Sequence, residues 1–391
     1  MLNPFPRLAC SLSNERCRNV AYQSLLALAV GLAAWYFAAN AAANLQERNI
    51  ASGFRFLWRE AGFEISETTL FSYSAADTYL RALAVGLLNT FRVAVVGIAL
   101  ATVLGSVIGL ARLSRNWLLA KLAASYVELI RNVPLLVQLF FWYSIITENL
   151  PAPAQALNPL PGVFLSNRGV AFPVPRPHSA YVWIGAALMA GVVLAIMLKR
   201  WAWHGRQGMD RRFPIIAAGA AATIGFPLAL YLGAPLEWSR PALTGFNFSG
   251  GAALSPEFAA LLAGLIIYTA AFVAEIVRAG IMAVDRGQFE AADALGLSSR
   301  QTMRFVILPQ ALRVIVPPMT SQYLNLTKNS SLAVAIGYPD LVSIANTMMN
   351  QTGQAIEGVA IIMLVYLTIS LTIAAFMNWY NRRVLQRGGD A

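Results

Sequence analysis

A run of polar side chains interrupts an apolar stretch near residue 325 of this chain. Amide, ammonium and hydroxyl groups can bind a small zwitterion, and irregular backbone at membrane depth is tolerated where it lines a cavity. Pro317 and Pro318 precede the run and predict a helix break. We therefore interpret the run as a candidate substrate path; the alternative is an outer helix end with Lys328 reaching to the membrane surface. Its polar members are Asn325, Thr327, Lys328, Asn329, Ser330 and Ser331.

Two acid–base pairs lie within other apolar runs, where an ionised side chain is costly and usually faces a partner or a cavity. Glu275 and Arg278 have the spacing that places them on one helix face, and we favour a structural ion pair for them. Glu128 and Arg131 have the same spacing and can neutralise each other. Because Asn132 and a helix-breaking proline follow at once, a structural role and a gating role both stay open for this second pair.

The stretch EAADALGLSS at residues 290–299 separates two apolar runs and predicts two helices with a sharp turn between them. Its first half contains good helix formers, and Gly296 stands where a left-handed helix end is expected. Ser298 and Gln301 have capping-box spacing, so a second helix is expected to leave in a new direction. Such a hairpin can dock into a groove of another protein, with Phe289, Ala292 and Leu295 on one face. The expected docking residues are Phe289, Glu290, Ala291, Ala292, Leu295 and Gly296.

The composition requires a membrane around these elements. Of the 391 residues, 58% are hydrophobic and only 12% are charged, whereas roughly a quarter are charged in soluble domains. A helix needs about 20 apolar residues to cross a bilayer. Runs of this kind predict an all-α, polytopic membrane protein with about eight transmembrane helices. They cover residues 22–43, 83–111, 117–146, 180–198, 213–232, 258–282, 303–326 and 356–379.

The basic residues set the expected orientation. The formal net charge is +11, but the lysines and arginines lie in short clusters between apolar runs, which indicates membrane topology and not nucleic-acid binding. The positive-inside rule then places both termini and residues 290–299 in the cytoplasm. With 2 cysteines and 2 histidines, neither a disulfide framework nor a metal site is expected. The first run exceeds the roughly 7 to 15 residues of a signal peptide's apolar region, so we expect it to be retained.

Two long outer loops interrupt the apolar runs. Residues 44–81 carry charges of both signs and several phenylalanine and tryptophan residues, so we expect this loop to fold against the membrane surface or a partner. Residues 148–179 are rich in proline and predict an ordered but irregular cap. We expect an N-terminal part, 1–82, and a transmembrane domain, 83–391, with an inserted region at about 148–254.

The residue 290–299 loop also carries a longer pattern. It resembles the EAA signature of the membrane subunits of ATP-binding-cassette importers, here Glu290-Ala291-Ala292, Gly296 and Ile307-Leu308-Pro309. Flanking segments are similar to the polar amino-acid permease family, among them TFRVAVVGIALATVLGSVIGLAR, YVELIRNVPLLVQLFFWY, AAFVAEIVRAGI and TKNSSLAVAIGYPDL. The likeness covers roughly residues 83–379, with an interruption between about 148 and 254. With the extra first span, the chain resembles the Q-type subunit of general L-amino-acid permeases.

The resemblance implies a type I ABC importer permease core in the bacterial cytoplasmic (inner) membrane. In that class the loop is a coupling helix, which sits in a cleft of a separate ATP-hydrolysing subunit and converts its closure into motion of the spans. The implied partners are a homologous second permease subunit, two ATPase subunits that carry ATP and Mg, an extracytoplasmic amino-acid-binding protein and an L-amino acid. The chain has no G-x-x-x-x-G-K-[ST] phosphate loop, so it is not expected to bind ATP by that motif, and the resemblance implies neither an enzyme activity nor a cofactor on this chain.

Two other functions stay open on the residues alone. A secondary transporter driven by an ion gradient would use Glu128 or Glu275 as a titrating carboxylate. A membrane-embedded enzyme would need a paired-carboxylate, His-rich or Ser/His constellation, and the sequence argues against one.

Overall fold

The protein's structure, a computed structural model, describes residues 15–47, 53–68, 71–176 and 238–386. Internal contacts divide the chain into two units, of which the first is Met1–Asn89 with Pro339–Thr372 and the second is Thr90–Tyr338 with Ile373–Ala391. Most described residues are helical. The α-helices are α1 (Glu15–Glu47), α2 (Tyr79–Ala111), α3 (Trp117–Asn132), α4 (Leu135–Ser144), α5 (Pro256–Met282), α6 (Arg286–Ala294), α7 (Ser299–Gln301), α8 (Leu308–Asn329), α9 (Leu341–Thr352) and α10 (Ala355–Gln386).

Within the described ranges, three helices are long and apolar enough to cross a membrane: Tyr79–Ala111, Pro256–Met282 and Ala355–Arg382. Two bent pairs raise the number to five if each pair is one span, namely Trp117–Asn132 with Leu135–Asn149 and Ser299–Ile336 with Leu341–Thr352. In α1 the apolar part is Ala21–Phe37, which ends before the polar Asn40 and is shorter than the predicted run. The predicted spans 180–198 and 213–232 lie outside the described residues, so a total of eight stays a prediction.

The break predicted in the third span is confirmed. Helices α3 and α4 meet at an angle of 104°. Val133 between them is extended, with φ −101° and ψ 129°, because the residue before a proline is driven out of the helical region. Pro134 then precedes the first residue of α4.

The break predicted at Pro317 and Pro318 is wrong, because α8 runs through both residues. A proline lacks the N–H group and leaves the carbonyl four residues earlier without its helical donor, here Arg313 and Val314. Neighbouring side chains anchor this part of the helix: Ile315 and Met319 are buried in an apolar cluster with residues of α5, and Val316 is buried as well.

The sequence predicted an irregular cap for the proline-rich loop. The structure contradicts this prediction, because the loop forms regular strands. Its strands β1 (Leu157–Leu160), β2 (Val163–Ser166) and β3 (Gly169–Phe172) form an antiparallel sheet with β8 (Ala252–Leu254), in the order β1-β2-β3-β8. Pro159 lies in the edge strand β1, where a missing N–H need not interrupt a ladder. Two further pairs flank the sheet: β4 (Val174–Pro175) with β5 (Trp238–Ser239), and β6 (Ala242–Thr244) with β7 (Asn247–Ser249). The described chain is therefore mostly helical and not all-α.

Helix α5 is the central element of the second unit. It packs against α8, α4 and α3, and buried side chains occur along its whole length. Glycines bring α2 close to it: a Cβ on Gly105 would lie 2.5 Å from Val273 Cβ and 2.7 Å from the Ala270 carbonyl oxygen. Small residues permit this kind of close approach between membrane helices.

We expect Gly105→Ala to lower the free energy of unfolding by about 1 to 3 kcal/mol, because the added methyl group forces α2 away from α5. The measurement is the thermal unfolding of the purified chain in detergent. Gly31→Ala in α1 is the matched control, since no heavy atom lies within 4 Å of the added methyl group. That change is expected to be neutral or slightly stabilising. Equal unfolding temperatures for wild type and Gly105→Ala would contradict the packing described here.

In the first unit, the loop that precedes α2 packs against the helices of that unit. The 3-10 helix Phe54–Trp58 contributes the buried Phe56 to a cluster with Tyr79 of α2 and with Leu341 and Met348 of α9. Burial, with Asp77 nearby, raises the pKa of Tyr73 to about 12, so its hydroxyl stays protonated and donates to the Phe63 carbonyl (3.0 Å). The loop thus folds against the chain itself, although three of its aromatic side chains stay exposed: Phe54, Trp58 and Phe71.

Candidate functional site

The stretch 290–299 forms the helix end that the sequence predicts. The Asp285 side chain caps the start of α6 by accepting from the Gly287 N–H group (2.7 Å). At the other end Gly296 is left-handed, with φ 71°. The Leu297 N–H donates to the Ala292 carbonyl (3.1 Å) and the Gly296 N–H to the Asp293 carbonyl (2.9 Å), which is the Schellman arrangement.

The second helix begins directly after this turn, and the predicted capping box is confirmed. The Ser298 N–H group donates to Gln301 Oε1 (2.9 Å), and the Ser298 hydroxyl donates to the same atom (2.7 Å). A π-helix, Thr302–Ile307, then joins α7 to α8 just before Pro309. The wider π turn relieves the contact that a proline ring makes with the preceding turn. The chain therefore reverses at Gly296 and leads straight into α8.

The face that α6 exposes differs from the predicted one. Ala292 is only 2% exposed, and Phe289 packs against an apolar cluster that contains Val284 and Ile307. The predicted docking face is therefore wrong for Ala292, which is buried, whereas Phe289 is half-buried against this cluster and its part in docking stays a prediction. Leu295 is 79% exposed. Within the 290–296 stretch, the exposed residues are Glu290, Ala291, Asp293, Ala294, Leu295 and Gly296; the first turn of α6, residues 286–288, is exposed too.

The predicted ion pair between Glu275 and Arg278 is confirmed and has a third member. Arg278 Nη2 lies 2.6 Å from Glu275 Oε1, and Arg278 Nε donates to Glu275 Oε2 (3.2 Å). Arg112, which directly follows α2, binds Glu275 Oε2 as well. The network thus joins the end of α2 to α5. Periodicity could not have found Arg112, because it is 163 residues distant in sequence.

The pairing predicted for Glu128 and Arg131 is wrong in the described structure. The Arg131 guanidinium instead lies over the Phe272 ring of α5, 5.0 Å from its centroid. Asn132 Nδ2 donates to the Glu128 backbone carbonyl (2.8 Å). Glu128, Arg131 and Asn132 are all exposed beside the break at Pro134, and a gating role for them stays a prediction.

The structure separates the six polar residues of the candidate path into two groups. Thr327 and Ser330 are buried, and their hydroxyls donate to the Tyr323 carbonyl (2.9 Å) and the Thr327 carbonyl (2.7 Å). The Ser331 hydroxyl donates to the Lys328 carbonyl (2.7 Å). These three hydroxyls bond to the end of their own helix. Asn325 and Lys328 are exposed, and Asn329 and Ser331 are half-buried.

One side of α8 is covered by α2. The hydroxyls of Tyr323 and Thr102 are hydrogen-bonded (2.9 Å), and Leu326 lies against Gly97. Asn325 and Lys328 lie on the uncovered side, three residues apart. Helix α8 therefore presents a polar face at one end, and the loop of residues 290–299 precedes its other end.

These features define a multi-span helical membrane protein whose central helices are joined to a capped, exposed helical reversal. Residues 97–386 match the sequence model of the family described as "Binding-protein-dependent transport system inner membrane component". The chain belongs to this family and is a permease subunit of an ATP-binding-cassette importer, as the EAA pattern had indicated.

Curated relatives extend over nearly the whole chain. A putative amino-acid ABC transporter permease protein of Escherichia coli (strain K12), YhdX, is 52% identical and covers 96% of both chains. The general L-amino acid transport system permease protein AapQ of Rhizobium johnstonii is 46% identical, over 96% of this chain and 94% of the relative. The permease protein BztB of a glutamate/glutamine/aspartate/asparagine transport system in Rhodobacter capsulatus is 42% identical, over 97% and 96%.

Proposed function

We propose that this permease subunit imports polar L-amino acids and takes its driving force from a separate ATPase that binds at residues 290–299. The observation that carries the coupling is the reversal at Gly296, where a capped, exposed helix end is packed onto the helices that would have to move. The amino-acid substrate is supported by the names of the three relatives, each of which is an amino-acid transport permease. The proposed assembly also contains a second permease subunit, two ATPase subunits with ATP and Mg, and an extracytoplasmic amino-acid-binding protein.

The orientation follows from the basic residues. The positive-inside rule favours cytoplasmic termini and a cytoplasmic 290–299 loop in the inner membrane. The sheet of β1, β2, β3 and β8 precedes α5, whereas the loop follows it, so the two lie at opposite ends of a span-length helix. The sheet would then face the side on which the binding protein delivers its substrate.

Helix α6 is attached to the membrane helices by apolar packing and not only by the chain that connects them. A movement of α6 can therefore be passed to these helices directly. Phe289 packs into the cluster formed by residues of α5 and α8, including Val277 and Ile315. Gln310 Nε2 of α8 also donates to Gln288 Oε1 of α6 (2.9 Å). A force on the exposed surface of α6 would therefore reach α8 through this hydrogen bond, and both helices through the shared apolar cluster.

The substrate path is proposed for the uncovered side of α8. Asn325 supplies amide donor and acceptor groups, and Lys328 supplies an ammonium group that can attract a carboxylate. Thr327, Ser330 and Ser331 would support this surface by closing the helix end from which it projects.

Reconstituted transport is the test of the proposed function. We expect proteoliposomes that contain this chain, its partner permease, the ATPase subunits and a loaded binding protein to take up a labelled polar L-amino acid only when ATP is supplied inside. Collapse of the proton or sodium gradient by ionophores should leave the initial rate unchanged. Uptake that continues without ATP and stops with the ion gradient would contradict the proposal and favour a secondary transporter.

A further inference from the structure

The short 3-10 helix Phe54–Trp58 turns two aromatic rings outward. Trp58 is 72% exposed and Phe54 is 51% exposed, while Phe56 between them is buried. Arg55 and Arg59 are exposed too, and within the described residues neither guanidinium has an ion pair or a side-chain hydrogen bond. The sequence Phe54–Arg59 thus combines large apolar rings with unpaired cations on a surface that the buried Phe56 fixes in place.

Hydrogen bonds place this surface at the ends of two membrane spans. The Gly53 N–H, just before the 3-10 helix, donates to Glu357 Oε1 in the first turn of α10 (2.6 Å). The N–H of Tyr79, the first residue of α2, donates to the Arg59 carbonyl (3.1 Å). Both α2 and α10 are long and apolar enough to cross a membrane. The 3-10 helix therefore lies where these spans leave the apolar layer.

An exposed apolar stripe of α10 begins at the same level. Ile356 and Val359, on either side of Glu357, are exposed, and Met363 and Leu367 continue an exposed apolar stripe along the helix. Such a stripe on a membrane span is the surface that acyl chains cover. Trp58 and Phe54 thus lie next to the boundary between acyl chains and headgroups. They do not project far into the aqueous phase.

We propose that Phe54–Arg59 is an anchor for the headgroup layer of the bilayer in which α2 and α10 stand. Tryptophan rings are favoured at that depth because they have an apolar body and an N–H group, and arginine can donate to lipid phosphates. Glu60 and Glu64 follow the two arginines, so the segment 55–64 has no net charge. The rings supply the affinity, and the anchor depends little on the fraction of anionic lipid.

Depth measurements on the full-length chain in lipid nanodiscs test this proposal. In a background with Cys10→Ser and Cys17→Ser, a nitroxide label at Arg55→Cys reports on the surface while Phe54 and Trp58 stay intact. Its accessibility to oxygen, relative to a water-soluble nickel chelate, is measured by power saturation. We expect this ratio to be about twofold or more above that of an aqueous reference label, as burial at the headgroup boundary requires.

Two further labels in the first unit serve as references, one for the acyl layer and one for the aqueous phase. Leu367→Cys lies on the exposed stripe of α10 and marks the acyl layer. Ser74→Cys is the aqueous reference, because Ser74 is exposed in a polar turn before α2, where its N–H donates to Asp77 Oδ2 (2.8 Å). The ratio at position 55 should lie between these references, and a Trp58→Ser change should shift it toward the value at position 74.

Two outcomes would overturn the anchor. A ratio equal to that of the Ser74→Cys label, unchanged by Trp58→Ser, would place the surface in water. Exclusion of both reagents from position 55 would show that protein and not lipid covers it, for example a second copy of the chain. Changing the anionic lipid content of the nanodiscs should leave the ratio unchanged, and a large dependence would contradict the assigned role of the rings.

Discussion

Replacing Gly296 with valine is expected to lower ATP-driven uptake by roughly tenfold or more while leaving the yield of the assembled complex near normal. The backbone at this position is left-handed, with φ 71°, and no heavy atom lies within 4 Å of the place where a Cβ would be. The cost is therefore conformational and not a clash. A left-handed non-glycine residue costs about 1 to 2 kcal/mol, and about 1.4 kcal/mol is a factor of ten in the equilibrium constant between the native reversal and other backbone conformations.

Two control variants separate backbone strain from other causes. Gly296→Asn also adds a side chain but tolerates the left-handed region, so it should retain most of the uptake. Gly245→Val strains an equivalent open position, φ 65°, in the turn between β6 and β7, and should leave coupling intact. The readouts are uptake in proteoliposomes, complex yield, and the increase in ATP hydrolysis on adding loaded binding protein.

Wild-type uptake in Gly296→Val would remove the basis for assigning residues 290–299 to coupling. Equal loss in Gly296→Val and Gly296→Asn would point to a steric requirement of the partner groove at this position. That outcome would retain the docking site but contradict the argument from backbone strain. A fall in complex yield with Gly245→Val alone would assign an assembly role to the hairpin of β6 and β7.

The local features of the loop were predictable because short-range rules determine them. A glycine after a run of helix formers, and a serine three residues before a glutamine, specify the turn whatever surrounds it. The ion pair of Glu275 with Arg278 is of the same kind, since three residues separate its members on one helix. Arg112 could not be predicted, because only the packing of α2 against α5 brings it to Glu275.

The errors come from tertiary context. The sequence shows that Phe289 and Ala292 share a helix face, but not that the fold buries Ala292 and leaves Phe289 half-buried. Arg131 has an aromatic ring within reach that periodicity does not reveal. The sheet formed by residues 157–172 and 252–254 needs a strand from the far side of the insertion, which no local pattern indicates.

The second large effect is expected on the uncovered side of α8. If Asn325 and Lys328 line the substrate path, Asn325→Ala and Lys328→Met should each lower the uptake rate by roughly tenfold. This magnitude follows because a hydrogen bond to a charged group is worth about 1.5 to 3 kcal/mol. Complex yield and ATPase binding should stay near wild type, since the exposed surface of α6 is unaltered.

Ser331→Ala is the matched control for these variants. Its hydroxyl donates to the Lys328 carbonyl, so its loss removes one helix-end hydrogen bond without changing the exposed polar face. We expect nearly normal uptake. Ser330→Ala lies in a buried position and should affect stability before transport. Uptake that falls equally in all four variants would indicate a general distortion of the helix end.

The charge of Lys328 distinguishes a substrate path from a helix end that only meets the membrane surface. A lysine in the last turn of α8 also interacts favourably with the helix dipole, and its stem can reach the interface. Those roles contribute to stability, so Lys328→Met would then lower the unfolding temperature and leave the uptake kinetics unchanged. A substrate contact has the opposite signature, a slower uptake at unchanged stability. Wild-type kinetics in both Asn325→Ala and Lys328→Met would contradict a path on this side of α8. The next candidates would then be the exposed polar residues between Glu128 and Asn132, which lie beside Pro134.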